Sequence, residues 1–384
     1  RDSNGQSPEN PFKVMGFDYR YVAEGNDIEK MIAAFQDVKD VDHPILLHIH
    51  TLKGKGYKPA IDDEEAHHWV MPFDLKTDKT TVPATSGPTA KSVVIDQVIK
   101  HIKNGEKIMI INAAIPGVFG LDEIKNEYPD HYTDVGIAEQ ESVAFAAGAV
   151  KEGAVPILFE NSTFLQRAFD QLSHDVAAND LPVVMMVANG GISNGSKTHL
   201  GIFDQVMISN LPNWIYLAPT TLNEEKAMLD WAIKQRKHPV AIKMPIKPVP
   251  EGEEVEADFD QIKYQIKKGK KVAILALGDF YGLGQEVADE IGATLVNPVS
   301  ANILDKKALD QLAADHELVV TLEDNSLDGG FGQKVASYSG SKVKVLNYGQ
   351  RREYTDQTPL EKIYRDNHLT KEQITSDIKK VLAK

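Results

Sequence analysis

At 384 residues, with 42% hydrophobic and 26% charged side chains, the chain has the make-up of a soluble globular protein of two or three domains. A net charge of −14 argues against nucleic acid as a main partner, and neither an apolar run long enough to span a bilayer nor a signal-peptide pattern is read. With no cysteine, disulfides, thiolate metal sites and a cysteine nucleophile are excluded, and a cytoplasmic setting is the simplest fit.

Residues 1–10 read as a flexible linker. Asp27 caps an expected helix through Val38, with Met31, Ile32 and Phe35 on one face. Pro44–Thr51 reads as a buried strand that runs into a basic loop, Lys53-Gly54-Lys55-Gly56-Tyr57, and on to His67-His68; His48 and His50 read as structural. One helix and one strand cannot bury a sheet, so residues 1–86 are expected to be the end of an α/β domain plus a linker, the linker lying at 76–89.

From Ala90 the pattern alternates. A helix at 90–103 closes at Gly105, and a strand covers 107–112. Tyr132–Val143 reads as a short run into a helix that continues to Val150, with Glu139, Gln140 and Glu141 crowding its first turn. Such residues complement the positive end of a helix dipole. The alternative is that Glu139, among Ile137, Ala138 and Val143, is a partly buried carboxyl able to hold a proton. A strand at 155–160 leads to a helix capped by Ser162 and running to about Ala178. A strand at 183–188 leads to a glycine-rich loop at 189–201. A strand at 214–218, a helix at 223–235 and a strand at 239–243 complete a doubly wound parallel sheet, whose ligands bind at the carboxyl ends of strands. After a linker at 246–256, strands near 271–277, 294–297, 317–322 and 343–347 predict a third α/β unit. The predicted division is therefore 1–86, 87–248 and 249–384.

Four loops converge on expected strand ends: 51–57 with His68, 134–140, 161–167 and 189–201. Phe164 reads either as core or as a flat face for an aromatic ring. Arg167 reads either as a solvated or ion-paired helix residue or as an anion clamp. His199, in its glycine-bounded loop, reads either as surface or as a proton carrier.

Taken together, Lys53–Ala60, His68, Asp134–Gln140, Ser162–Arg167 with Asp170-Gln171, Thr198-His199 with Gly201 and Phe203-Asp204, Val320–Asp324 and Gly329-Gly330 resemble the 1-deoxy-D-xylulose-5-phosphate synthases, in the thiamine-diphosphate-dependent transketolase superfamily. The resemblance implies a transketolase-like α/β fold: the end of a diphosphate-binding domain, a pyrimidine-binding domain and a C-terminal domain. It implies thiamine diphosphate as cofactor, with Mg2+ held by a part not contained in these residues. Glu139 matches the glutamate that hydrogen-bonds the cofactor's aminopyrimidine ring. Ile137 and Phe164 match residues lining that ring, Tyr57 a cofactor contact, and His68 and His199 histidines that handle substrate protons. Substrates are expected to be small keto acids, aldehydes or sugars, and the assembly a homodimer.

Three positions depart from that pattern. Where the family places arginines on the substrate phosphate, Ala188 and Ile246 stand here, and Asn161 replaces a tyrosine. Arg167, Lys197 and Asn161 are the residues left to face substrate, with Lys243 and Lys247 as further cations, so a changed acceptor is expected. The metal-binding Gly-Asp-Gly segment is not found, and Gly278-Asp279-Phe280 does not supply it. The chain is therefore expected to be the C-terminal part of a longer protein, inactive alone. A subunit of a split transketolase and a non-catalytic paralogue are the competing readings.

Overall fold

Parallel strand pairing organises every sheet of consequence in this computed structural model, which describes residues 7, 9–83, 87–255 and 258–383. The chain divides into two units, 1–86 and 87–384. Most of the expected N-terminal linker, residues 1–6 and 8, lies outside the described residues, as do 84–86 and 256 of the other two linkers.

The first unit opens with α1 (Pro11–Val14), whose N-cap Asn10 is buried and accepts from the Phe12 and Lys13 N–H groups. Strand β1 (Asp18–Val22), which the pattern did not predict, pairs in parallel with β2 (Ile45–Ile49) across α2 (Ile28–Val38). Asp27 caps α2 as expected, accepting from Glu29 and Lys30. After α3 (Lys58–Asp62), β3 (Phe73–Asp74) and β4 (Lys79–Thr80) form a small antiparallel hairpin whose second strand lies inside what composition marked as linker. Asp74 builds that turn by accepting from the N–H groups of Lys76 and Thr77, a short-range device that polar composition conceals.

The second unit holds two sheets. Helix α4 (Ala90–Lys103), capped by a Thr89/Ser92 capping box, leads into β5 (Ile108–Asn112), α5 (Pro116–Phe119), α6 (Asp122–Glu127) and β6 (Tyr132–Asp134). Then come α7 (Glu139–Lys151), β7 (Val155–Asn161), α8 (Phe169–Gln171), β8 (Val184–Ala188), α9 (Asp204–Ser209), β9 (Ile215–Leu217), α10 (Leu222–Gln235) and β10 (Val240–Lys243). Their order, β6-β5-β7-β8-β10-β9, is parallel throughout. Connections leave β5 and β7 in opposite directions, which opens the ligand crevice of such sheets at their carboxyl ends.

Residues 162–178 are not the regular helix expected. Ser162–Ala168 is a 3-10 segment, α8 is one short α-turn, and Leu172–Ala177 is π-helical; the cap is Asn161, not Ser162. The mixed pitch keeps Leu165, Ala168, Leu172 and Val176 all against the core, a compromise that periodicity alone does not reveal.

The second sheet contains β11 (Gln265–Lys267), β12 (Val272–Ala276), α11 (Tyr281–Ile291), β13 (Thr294–Asn297), α12 (Lys306–Asp315), β14 (Leu318–Ser326), α13 (Phe331–Ser339) and β15 (Lys344–Gln350), then α14 (Leu360–Asp366) and α15 (Lys371–Leu382). Its order is β11-β13-β12-β14-β15, with the unpredicted edge strand β11 antiparallel. One apolar cluster runs from Val143, Leu158 and Leu165 of the first sheet's layer to Leu275, Val296 and Phe331 of the second. Among the described residues no helix is long and apolar enough to cross a membrane.

Candidate active site

At the end of β6, Asp134 gathers the loop that aims α7. It accepts from Asn112 Nδ2 (2.8 Å), Tyr132 Oη (3.1 Å), and the N–H groups of Ala114 (3.1 Å) and Gly136 (2.8 Å). Desolvation opposes its charge, but these donors outweigh it and hold the carboxyl below its usual range. Gly136 takes φ +74°, a left-handed turn that glycine enters without strain. The turn places Glu139 as the first residue of α7, where no side chain caps the helix.

Glu139 is 3% exposed, so its carboxyl is nearly fully buried rather than partly so. Arg167, from the 3-10 segment, brings Nε to 3.0 Å from Oε2 as an ion pair, although Oε2 receives no well-aimed hydrogen bond. Arg167 is itself half exposed. Of its two sequence readings the structure gives the ion-paired one: it compensates the buried acid. Ile137 is 79% exposed beside this turn.

Phe164 stands half-buried with its ring edge-on to His199 at 5.7 Å. His199 Nδ1 lies 2.7 Å from Thr198 Oγ1, which is 2.8 Å from Ser196 Oγ. This chain orients the exposed imidazole. Thr163 Oγ1 donates to the Thr198 carbonyl (3.4 Å) and ties the two loops together. The loop is closed by a Gly191–Gly201 bridge, packed so tightly that a Cβ on Gly201 would run into the Asn189 carbonyl. Asn161 is buried and occupied as the cap of the 3-10 segment, accepting from the Thr163 N–H (3.3 Å). Lys197 is exposed, and its backbone N–H donates to Asp356 (3.1 Å).

In the first unit, Tyr57 donates from its hydroxyl to Asp78 Oδ1 (2.8 Å), and His67 Nε2 reaches the same oxygen (3.0 Å). The structure thus joins Tyr57 to His67. His68 turns instead to Lys53, whose ammonium lies 2.9 Å from Nδ1. His67 is pushed up by its bond to Asp78 and by the Asp63 carbonyl. The Asp78 and His67 partners were not read from sequence, because Asp78 comes from a turn with φ +56° ten residues beyond the histidines.

Two acidic features were also missed. Glu160, the last but one residue of β7, is 1% exposed. The signal was present: a charged residue directly after the apolar run Val155–Phe159 and still inside the strand. The other is a knot between the two sheets of the second unit. Lys243 Nζ pairs with Asp324, both buried, and Asp279 lies close by, accepting from the Ile246 N–H (3.2 Å). Burial works against the Lys243 charge, but Asp324, Asp279 and Asp204 outweigh it and raise its pKa. Asp204 accepts from Tyr216 Oη and from Asn325 Nδ2 (2.8 Å). Glu323 accepts from the Phe331 and Gly332 N–H groups and from Gln205. Lys243 is therefore committed to the fold. Lys247 rests over the Phe280 and Tyr364 rings at 4.9 and 4.8 Å. Ala188 is 4% exposed at the end of β8.

Residues 88–250 match the family model for the pyrimidine-binding domain of transketolase, 261–374 that for the transketolase C-terminal domain, and 3–51 that for 1-deoxy-D-xylulose-5-phosphate synthase. The chain is 35% identical over 376 residues to the 1-deoxy-D-xylulose-5-phosphate synthase of Pseudoalteromonas translucida, covering 96% of this chain and 60% of that protein. It is 36% identical over 382 residues to that of Nitrosomonas europaea, covering 97% and 62%. It thus spans about 60% of the length of these curated relatives. A solved structure described as a split gene transketolase, inactive beta4 tetramer, is 23% identical with a TM-score of 0.69, over 77% of this chain and 99% of that one, and it shares the fold. By its two consecutive domains and its resemblance to the synthases along nearly its whole length, the chain belongs to the transketolase superfamily.

Proposed function

We propose that the chain is the pyrimidine-binding and C-terminal part of a thiamine-diphosphate-dependent transferase of two-carbon ketol or acyl units, acting on a small keto acid with an aldehyde or sugar acceptor. The observation that carries this reading is Glu139: a buried carboxyl at a helix N-terminus, at the carboxyl edge of a parallel sheet, with an oxygen that lacks a hydrogen-bond donor. Such an atom fits a ring nitrogen that can share a proton. Thiamine diphosphate, when bound, supplies a carbanion at its thiazolium C2. In this proposal Glu139 exchanges a proton with the aminopyrimidine ring, and Arg167 balances the remaining charge. Phe164 offers an apolar edge to the ring, and His199, oriented by Thr198, moves protons at substrate oxygens. Among the described residues no group of three or more potential ligands could hold a metal ion, so no step here runs through Mg2+.

The proposal extends to the domains, 1–86, 87–248 and 249–384, and to a homodimer; the exposed Ile137 and the part-exposed Phe145 and Phe169, near the Glu139 turn, support the latter. A cytoplasmic setting completes it. The test uses the protein with the remaining length of its relatives included: hydrogen–deuterium exchange at C2 of added thiamine diphosphate. Fast exchange in wild type with a loss on the order of 10²-fold in Glu139→Gln supports the reading. Equal exchange in both removes Glu139 from it.

A further inference from the structure

Strand β7 delivers a second acid to the place where α7 presents Glu139. Leu158 of β7 packs in the cluster that holds Val143 and Ala146 of α7, and strand alternation turns Glu160 to that same side of the sheet. Helix α7 returns antiparallel to β7, so the end of the strand and the start of the helix meet at one edge. Glu160 Oε1 accepts the Asn161 N–H at 3.0 Å, while Oε2 is sealed from solvent without a hydrogen-bond partner. Glu139 Oε2 is in the same condition, with Arg167 Nε 3.0 Å away.

The surroundings offer little other charge. The flanking strands β5 and β8 carry none. On α7 the next acid, Glu141, is exposed, and the loop after β8 adds Lys197 and His199, both exposed. One guanidinium does not neutralise two desolvated carboxylates at the same sheet edge, and the system's cheapest escape is to keep a proton. Burial first, and the nearby Glu139 charge second, push the Glu160 carboxyl up to about 8.

We infer that Glu160 is a positioning residue, the protonated member of a buried Glu139–Glu160 acid pair that stores one proton for the site, with Arg167 compensating the single charge that remains. The storage role rests on the proton-exchange reading of Glu139; the existence of the pair does not. In that role Glu160 passes its proton to the Glu139 carboxylate as Glu139 hands one to the ring, and recovers it on the return, so the pair and the ring share a single proton between them.

Infrared titration of the full chain without cofactor tests the pair directly, because a protonated carboxyl has a C=O band that a carboxylate lacks. Wild type is expected to show a component lost with a midpoint at about 8, absent from Glu160→Gln. In Glu139→Gln the same component remains, its midpoint lowered once the neighbouring charge is gone. A Glu160→Gln spectrum identical to wild type at pH 7, or a midpoint unmoved in Glu139→Gln, overturns the pair. In the complete loaded enzyme, Glu160→Gln is expected to shift the alkaline limb of the C2-exchange profile; an unshifted limb with the infrared pair intact overturns the storage role. If Glu139→Gln leaves C2 exchange untouched while the infrared result holds, the functional reading fails and the pair stands.

Discussion

Replacing Lys243 by Met removes the buried ammonium that faces Asp324, and the structure sets the size of the damage. Lys243 and Asp324 are both within 5% of complete burial, with Asp279 beside them. An aspartate stripped of its counter-ion has one way out, which is to bind a proton. At pH 7 that costs about 4 kcal/mol for a carboxyl of reference pKa about 3.9, at about 1.36 kcal/mol per unit. This ceiling agrees with the roughly 3–5 kcal/mol lost when one partner of a buried pair is removed. At pH 5 the same escape costs only about 1.5 kcal/mol. Lys243→Met should therefore destabilise the second unit by about 3–4 kcal/mol at pH 7 and by less than half of that at pH 5. Urea denaturation followed by tryptophan fluorescence reads the right unit, since Trp214 and Trp231 are buried there whereas Trp69 of the first unit is 76% exposed. A Lys243→Met/Asp324→Leu double variant should recover most of the loss. A penalty below about 1 kcal/mol, or one that does not shrink on acidification, would refute the reasoning.

Stability should fall as pH rises from 5 to 8, measured as Tm. Burial pushes Asp279 and Glu323 up to about 7 and Glu160 up to about 8, so the native state keeps protons that the unfolded chain has released, and the advantage is lost as pH passes those values. A flat or rising profile over that range contradicts the assignment. Gly201→Ala should cost about 1–3 kcal/mol and loosen the His199 loop, because its Cβ meets the Asn189 backbone; unchanged proteolysis within 189–201 would count against this. Ile246→Arg should raise stability rather than create a free anion clamp, since the Ile246 Cδ1 and the unpartnered Asp324 Oδ2 converge on the same point beside Gly191. Improved binding of inorganic phosphate with no rise in Tm would show the opposite.

Strong periodicity made most of the second unit readable. Helices α4 and α10 and strands β5, β8 and β13 lie within two residues of where pattern and caps put them. Short elements were not readable: β1 and β11 are too brief and too polar to stand out, and β6 is only three residues long. The Glu139 turn was legible because glycine, acid and apolar neighbours fall together locally. The groups that give it chemical character come from afar in sequence: Arg167 and Glu160 are 28 and 21 residues on, and only the crossover through α7 brings them together. Likewise, no local signal distinguishes Lys243, which is spent on Asp324 81 residues away, from a lysine free to bind substrate. Of the three lysines weighed as replacements for the arginines, only Lys197 stands in the open.

The stitching between the two sheets of the second unit has a consequence for how the polypeptide can be handled. Leu217 bridges Ser300, the Ala218 N–H donates to the Val299 carbonyl (2.9 Å), and the Ala301 N–H donates to the Tyr216 carbonyl (2.8 Å). The Lys243–Asp324 pair and the shared apolar cluster lie alongside these contacts. By contrast, the connection at 247–255 contains no strand or helix. A nick between Glu253 and Glu254, beyond the Pro250 and Glu251 carbonyls that accept the Leu222 and Asn223 N–H groups (3.0 and 2.9 Å), removes the tether, whose contribution is effective concentration. Two polypeptides divided at that point should find each other when co-expressed. Made separately, each would expose half of a buried ion pair and a torn apolar face, and neither should accumulate as a folded product.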